Sequence, residues 1–339
     1  MPRGGSVSAE LTLLKQLLLA RFGTYDVLYL QGHALAPRAA IAMLGPKLGK
    51  KLLYHTSDYF SPIDHPFRFA LERRLCQMAD MYANAEFHRA YITSEMYGCR
   101  CPVITLPANL PRQWPIAAPS KEKRQQMLGG DPDAFVLMVH GGYSPLRMTP
   151  ELVQALATLP SRFRLVMTGG SPTRDKVDEA LEEAGVADRV VRLPRLSFHE
   201  MLSYSVNADA GVLFYKNNDL GNFFQAPGRL TEYLACGLPL LASDHTGLEN
   251  LVRKFNLGES ADATKPQSIA KAIVRLDRGL KDNLFSRIQV RQVFENYLAF
   301  DHWEPIFVKT FEEMLEGKKR PRGQKPPFPW LPNEDITPK

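Results

Sequence analysis

The sequence predicts an α/β protein of two Rossmann-like domains, and three observations carry that expectation. Short apolar runs alternate with helical patterns, Gly turns follow several of the runs, and a Pro-rich stretch divides the alternation in two. Taken in order, Leu11, Leu14, Leu17 and Leu18 fall at helical spacing, and Gly23 supplies a stop. Residues 25–33 (YDVLYLQGH) are an apolar run ending in a loop. A helical stretch to Gly45 follows, then the strand pattern of KKLLYHTSDYF, which ends at His55. This βαβ order implies a parallel sheet covered by helices. HPFRFALERRLCQMADM reads as a helix, MYANA as a strand, and a last unit ends in PVITLPANL. Residues 111–122, with Pro111, Pro115 and Pro119, read as an interdomain linker, which sets domains over 1–110 and 123–300.

The second series begins at Ala134. AFVLMVHGGY and FRLVMTGGS are each a strand followed by a Gly turn; TPELVQALATL and DKVDEALEEAG are helices, and VVRLP is again a strand. HEMLSYSVNA, DAGVLFYK, a short helix from Gly228, the buried strand of LPLLASD, a Gly turn and PQSIAKAIVRLD continue the alternation. Residues 301–316 (DHWEPIFVKTFEEMLE) form a closing helix. Residues 317–339 are rich in Pro and charge without periodicity, the composition of a disordered basic tail.

Composition narrows the function classes. The chain has 339 residues, 45% hydrophobic and 23% charged, enough for two buried cores. Its formal charge is +6, but the stretch from 317 holds six Lys/Arg against two acids, so the folded part is nearly balanced and nucleic acid is not implied. Cys76, Cys99, Cys101 and Cys236 have neither the spacing of a disulfide framework nor that of a zinc site, and read as reduced thiols of a cytoplasmic protein. No apolar run approaches the roughly 18 residues that span a bilayer, and no signal-peptide layout is seen.

The most informative stretch is residues 226–252, APGRLTEYLACGLPLLASDHTGLENLV. Gly228 opens a helix whose free N–H groups suit an anion, Arg229 adds a fixed positive charge, and Gly237 with Pro239 ends the helix two turns later. Glu232 on that helix offers a carboxylate that accepts two hydrogen bonds from a ribose diol. This segment resembles the nucleotide-binding signature of retaining GT-B-fold glycosyltransferases, a Pro-x-Lys-x-x-Glu-Tyr-Leu-x-x-Gly-x-Pro run, with Arg229 where Lys is usual. The resemblance implies a donor site for a nucleoside diphosphate sugar of UDP or GDP type, with Glu232 on the ribose. The turn Gly141-Gly142 lets backbone amides approach a phosphate. Arg147 matches the family arginine on the donor diphosphate, although the Lys usual a few residues later is absent. His55 matches a histidine on the donor sugar and diphosphate, the one candidate catalytic residue. His33 and Asp58, on adjoining loops, are weaker candidates that loop polarity alone would explain, and Asn222 is a weaker one as a polar residue beside Phe224. The second family glutamate, eight residues before Glu232, is replaced by Phe224.

By the same resemblance, 301–316 is the helix that crosses back onto the first domain, and 25–33 takes the place of the family's fourth strand. At roughly 30 residues per βα unit, about 80 residues and three strands of the N-terminal domain are then missing. The implied activity is retaining sugar transfer to a glycan, lipid-linked or small-molecule acceptor, with no metal or cofactor because Arg147 and Arg229 neutralise the leaving diphosphate. A rival from another class is an auxiliary subunit that binds the nucleotide and borrows its acceptor half from a partner chain, which would also cover the open sheet edge. The basic run from Lys318 to Arg322 adds an expectation of peripheral contact with the inner membrane. A dinucleotide-dependent oxidoreductase is disfavoured, because G-x-G-x-x-G is absent from every strand-to-helix turn.

Overall fold

The computed structural model describes residues 25–31, 35–44, 49–57, 59–170, 173–225 and 227–327. The candidates His33 and Asp58, the leucine-rich stretch before Gly23 and the end of the tail lie outside the described residues. The described chain forms two compact units, one of residues up to Pro107 and from Asp301 onward, the other of Ala108–Phe300.

Unit 1 is a four-stranded parallel sheet in the order β1 (Val27–Gln31), β2 (Lys51–Thr56), β3 (Met81–Asn84), β4 (Val103–Thr105). Strand alternation sorts its apolar residues onto two faces. Leu52, Tyr54 and Tyr82 meet helices Pro66–Met78 and Phe87–Tyr97 on one face. Leu53, Met81, Ala83 and Ile104 meet Met314, Ile306, Phe307 and Phe311 of helix Glu304–Leu315 on the other. Each face buries an apolar layer, worth on the order of 25 cal/mol per Å² removed from water. Inside the first layer Arg38 pairs with Glu72 at 2.5 Å, and Tyr54 Oη donates to the same carboxylate, so the buried charge is compensated. Residues 317–327 depart from the disordered tail expected there. The Arg320 N–H donates to the Arg100 carbonyl at 2.8 Å and the residue is 5% exposed, so these residues lie against the unit.

Unit 2 is a six-stranded parallel sheet in the order β10-β9-β8-β5-β6-β7, comprising β5 (Phe135–Val139), β6 (Phe163–Thr168), β7 (Val190–Leu193), β8 (Ala210–Leu213), β9 (Leu240–Ser243) and β10 (Gly258–Ala261). The order reverses between β5 and β8, which opens a crevice at the carboxyl ends of those strands, where doubly wound sheets take ligands. Two elements differ from the sequence expectation. Gly247, expected in a turn, lies inside helix Thr246–Phe255, and Lys121–Leu128, partly within the expected linker, is a helix capped by the Ser120 hydroxyl. β10 was not anticipated either. Its Gly258 has φ +145°, and a Cβ there would stand 2.1 Å from the Leu240 carbonyl oxygen, so a glycine is what lets this edge pair.

Candidate functional site

The carboxyl end of β5 runs directly into His140, Gly141 and Gly142. Both glycines have positive φ, +74° and +104°, and the Gly142 N–H donates to the Thr168 carbonyl at the end of β6, 3.1 Å away. Gly169 (φ +100°) lies so close that a Cβ would fall 2.9 Å from the Gly142 nitrogen. The two turns therefore abut as bare backbone, the shape that admits a phosphate.

Helix Gly228–Ala235 brings its N-terminus to this loop. Pro227 at the N-cap supplies no side-chain acceptor, so the first turn keeps donors for an anion. Arg229 is 8% exposed; its Nη1 donates to the His140 carbonyl at 3.2 Å and its Nη2 to Tyr215 Oη at 2.8 Å. The Arg229 guanidinium carbon lies 5.2 Å, and that of Arg147 4.3 Å, from the centre of the same Tyr215 ring. Two cations thus share one aromatic ring. Burial, then the Arg229 charge, lowers the Arg147 pKa, and Arg147 Nη1 is buried without a hydrogen bond. For Arg229 burial acts against the charge, but Tyr215, Tyr233 and Glu232 outweigh it and the pKa is raised.

Tyr233 and Glu232 join the same helix to β5. Tyr233 is fully buried; its hydroxyl donates to the Met138 carbonyl at 2.9 Å and accepts the His140 N–H at 3.0 Å. Gly211 in β8 makes room for that ring, since a Cβ there would lie 2.5 Å from it. Glu232 Oε2 is 2.7 Å from His140 Nε2, and His140 Nδ1 is 2.8 Å from Ser205 Oγ. Burial lowers the His140 pKa against the pull of Glu232. The ring thus stands between the Glu232 carboxylate and the Ser205 hydroxyl, which itself donates to the Met201 carbonyl at 3.0 Å. Glu232 is thereby held by one oxygen, and the other is left for a ligand.

Gly141, Gly142, Arg147, Gly228, Arg229 and Glu232, read separately from the sequence, come together in this one place. Asn222 does not join them. Its amide donates to Asn218 Oδ1 and Asp219 Oδ2, and its oxygen accepts from Gln225, so the loop uses it up. His140, Tyr215 and Ser205 were missed, and Tyr233 was noted only as a neighbour of Glu232. The Glu-Tyr pair on a site helix was the available signal. Asp131-Pro132-Asp133, an Asp-x-Asp pair, sits in an exposed turn at the opposite, amino end of β5, with Asp131 Oδ1 accepting the Asp133 N–H.

His55, the fifth residue of β2, belongs to unit 1. It is 6% exposed, its Nδ1 lies 2.7 Å from Tyr29 Oη, and its Nε2 has no hydrogen bond. Burial lowers its pKa to about 4, so the ring is neutral near pH 7.

The two parallel sheets give the described chain a GT-B-like α/β fold. Residues 120–283 match the family of glycosyl transferases group 1. Two curated relatives are D-inositol 3-phosphate glycosyltransferases. The one from Xylanimonas cellulosilytica is 29% identical over 163 residues, 47% of this chain and 38% of that protein; the one from Acidothermus cellulolyticus is 30% identical over 195 residues, 54% and 41%. The matched region is therefore about two fifths of each relative's length. Among solved structures, Anabaena HepE in complex with UDP and glucose superposes with a TM-score of 0.73 at 18% identity, covering 91% of this chain and 84% of that one. Among the described residues no helix is long and apolar enough to cross a membrane.

Proposed function

We propose that the protein transfers a sugar from a nucleoside diphosphate sugar to an acceptor, with retention at the anomeric carbon. The observation that carries this is the pairing of two arginines over one tyrosine ring beside the Gly141-Gly142 turn and the N-terminus of helix Gly228–Ala235. A guanidinium with one buried, unused donor, next to bare backbone and a helix end, suits a group of high negative charge. The relatives support the reading, being sugar transferases by name, and a fold neighbour binds UDP and glucose.

In this mechanism the diphosphate sits on Gly141, Gly142 and the helix end. Arg147 and Arg229 offset the charge that develops as the glycosidic bond breaks, so the protein needs no divalent cation. Glu232, fixed by His140, accepts from the ribose hydroxyls. The leaving phosphate takes the acceptor proton on the same face of the sugar, which retains the configuration without a carboxylate base. His55 supplies a neutral imidazole that donates from or accepts at its unpaired Nε2, and we assign it to holding the donor sugar. A second reading, an auxiliary nucleotide-binding subunit, draws on the outer edge of β1, which pairs with no strand among the described residues.

The test is release of nucleoside diphosphate from UDP-glucose and GDP-mannose, with and without EDTA, together with the anomeric configuration of any product. Turnover that survives the chelator with retained configuration is expected. Activity lost with EDTA and restored by Mn²⁺ would remove the role given to the arginines, and nucleotide binding without turnover would favour the auxiliary subunit.

A further inference from the structure

A cleft of about 500 Å³ opens in unit 1 beside helix Glu304–Leu315 and the chain that follows it. Lys309, Lys318, Lys319, Arg320 and Lys325 line it against one carboxylate, Glu313, and Val103 and Ile306 give it an apolar side. None of the residues assigned to the donor lies in it. Its geometry is fixed by Arg320. That backbone N–H donates to the Arg100 carbonyl at 2.8 Å, Nη1 meets Glu95 Oε1 at 2.8 Å, and Nη2 donates to the Gln324 carbonyl. Its Nε is buried and makes no hydrogen bond. Lys318 pairs with Glu316 at 2.9 Å, outside the lining.

The lining holds five cations to one carboxylate, while Glu95 and Glu316 stand outside it as partners of Arg320 and Lys318. Like charges in that excess repel one another, and a low-dielectric wall focuses their field into the concavity. A dianion relieves that repulsion. A phosphoryl group carries about −1.5 to −2 charges and three acceptor oxygens, which suits ammonium groups set around a buried guanidinium. We propose that this cleft binds a phosphoryl group on a small or apolar body, the chemistry shared by a free phosphomonoester and the headgroup of an anionic lipid.

The test uses the full chain and a Lys309→Gln, Lys319→Gln double variant, whose melting temperature and UDP affinity should match those of the wild type. One arm measures binding of glycerol 3-phosphate by calorimetry. The other measures co-sedimentation with phosphatidylcholine vesicles, with and without phosphatidic acid. At about 1 kcal/mol for each basic residue near an anionic surface, the variant should bind about thirtyfold more weakly. Loss in both arms assigns the phosphoryl group in either setting, loss on phosphatidic acid vesicles alone assigns the lipid, and loss on glycerol 3-phosphate alone assigns the soluble ester. Equal binding by wild type and variant in both arms, or binding by neither protein, overturns the proposal.

Discussion

His140 in unit 2 and His55 in unit 1 stand at the carboxyl ends of central parallel strands, both buried and both with lowered pKa, yet they are wired differently. His140 has a polar group against each nitrogen, the Glu232 carboxylate 2.7 Å from Nε2 and the Ser205 hydroxyl 2.8 Å from Nδ1. His55 spends one, on Tyr29, whose ring is half exposed, and keeps Nε2 unpaired. A buried polar atom without a partner is costly, and such groups persist where a ligand completes them. Under the proposed function, His140 positions a binding residue and His55 keeps a nitrogen for the substrate.

Replacing both in the same way should expose that difference most strongly in stability. His140→Phe removes the partner of the partly buried Glu232 carboxylate and replaces a buried polar ring beside Ser205, whose hydroxyl keeps the Met201 carbonyl, and should cost about 2 kcal/mol by urea denaturation. His55→Phe frees only a tyrosine that water can reach, so it should cost less than about 1 kcal/mol. Equal losses would erase the distinction. The next effect is on turnover. His55→Phe should slow sugar transfer about a hundredfold by loosening the donor while leaving UDP affinity unchanged, as separate kinetic and calorimetric measurements would show.

A smaller effect concerns pH. The folded-state pKa of His55 is lowered to about 4, while the unfolded chain protonates near 6.5. Stability from the neutral ring is thus full above about 6.5 and declines as the pH falls toward 4, because the unfolded state binds the proton first. Wild type should lose about 2 kcal/mol more than His55→Phe between pH 7 and pH 5. Parallel pH profiles of the two proteins would show instead that His55 is solvated.

Much of this site could be read in the sequence because its parts are local signals. Positive-φ glycines after an apolar strand, and an arginine and a glutamate three residues apart on a helix opened by Pro-Gly, carry their chemistry within a few residues. His140 could not be read that way. Its partners are Ser205, 65 residues on, and Glu232, 92 residues on, and only the crossing of β5 beside β8 brings them together. Tyr215 is similar, meaningful only once Arg147 and Arg229 converge on it. The fold class followed from alternation, but Gly247 obscured where helix Thr246–Phe255 begins, and β10 was hidden by its polar Gly-Glu-Ser start. There, burial against neighbours outweighs local propensity.

The central claim is that Glu232, held by His140, accepts hydrogen bonds from the ribose of a bound nucleotide. Calorimetry of wild type and Glu232→Gln, each with UDP and with 2′,3′-dideoxy-UDP, tests it directly, because the ligand change removes the hydroxyls and the variant removes the charged acceptor. The account predicts that Glu232→Gln weakens UDP binding by about 1.5 to 3 kcal/mol and leaves the dideoxy ligand unaffected. The same loss for both ligands, or none for UDP, would contradict it.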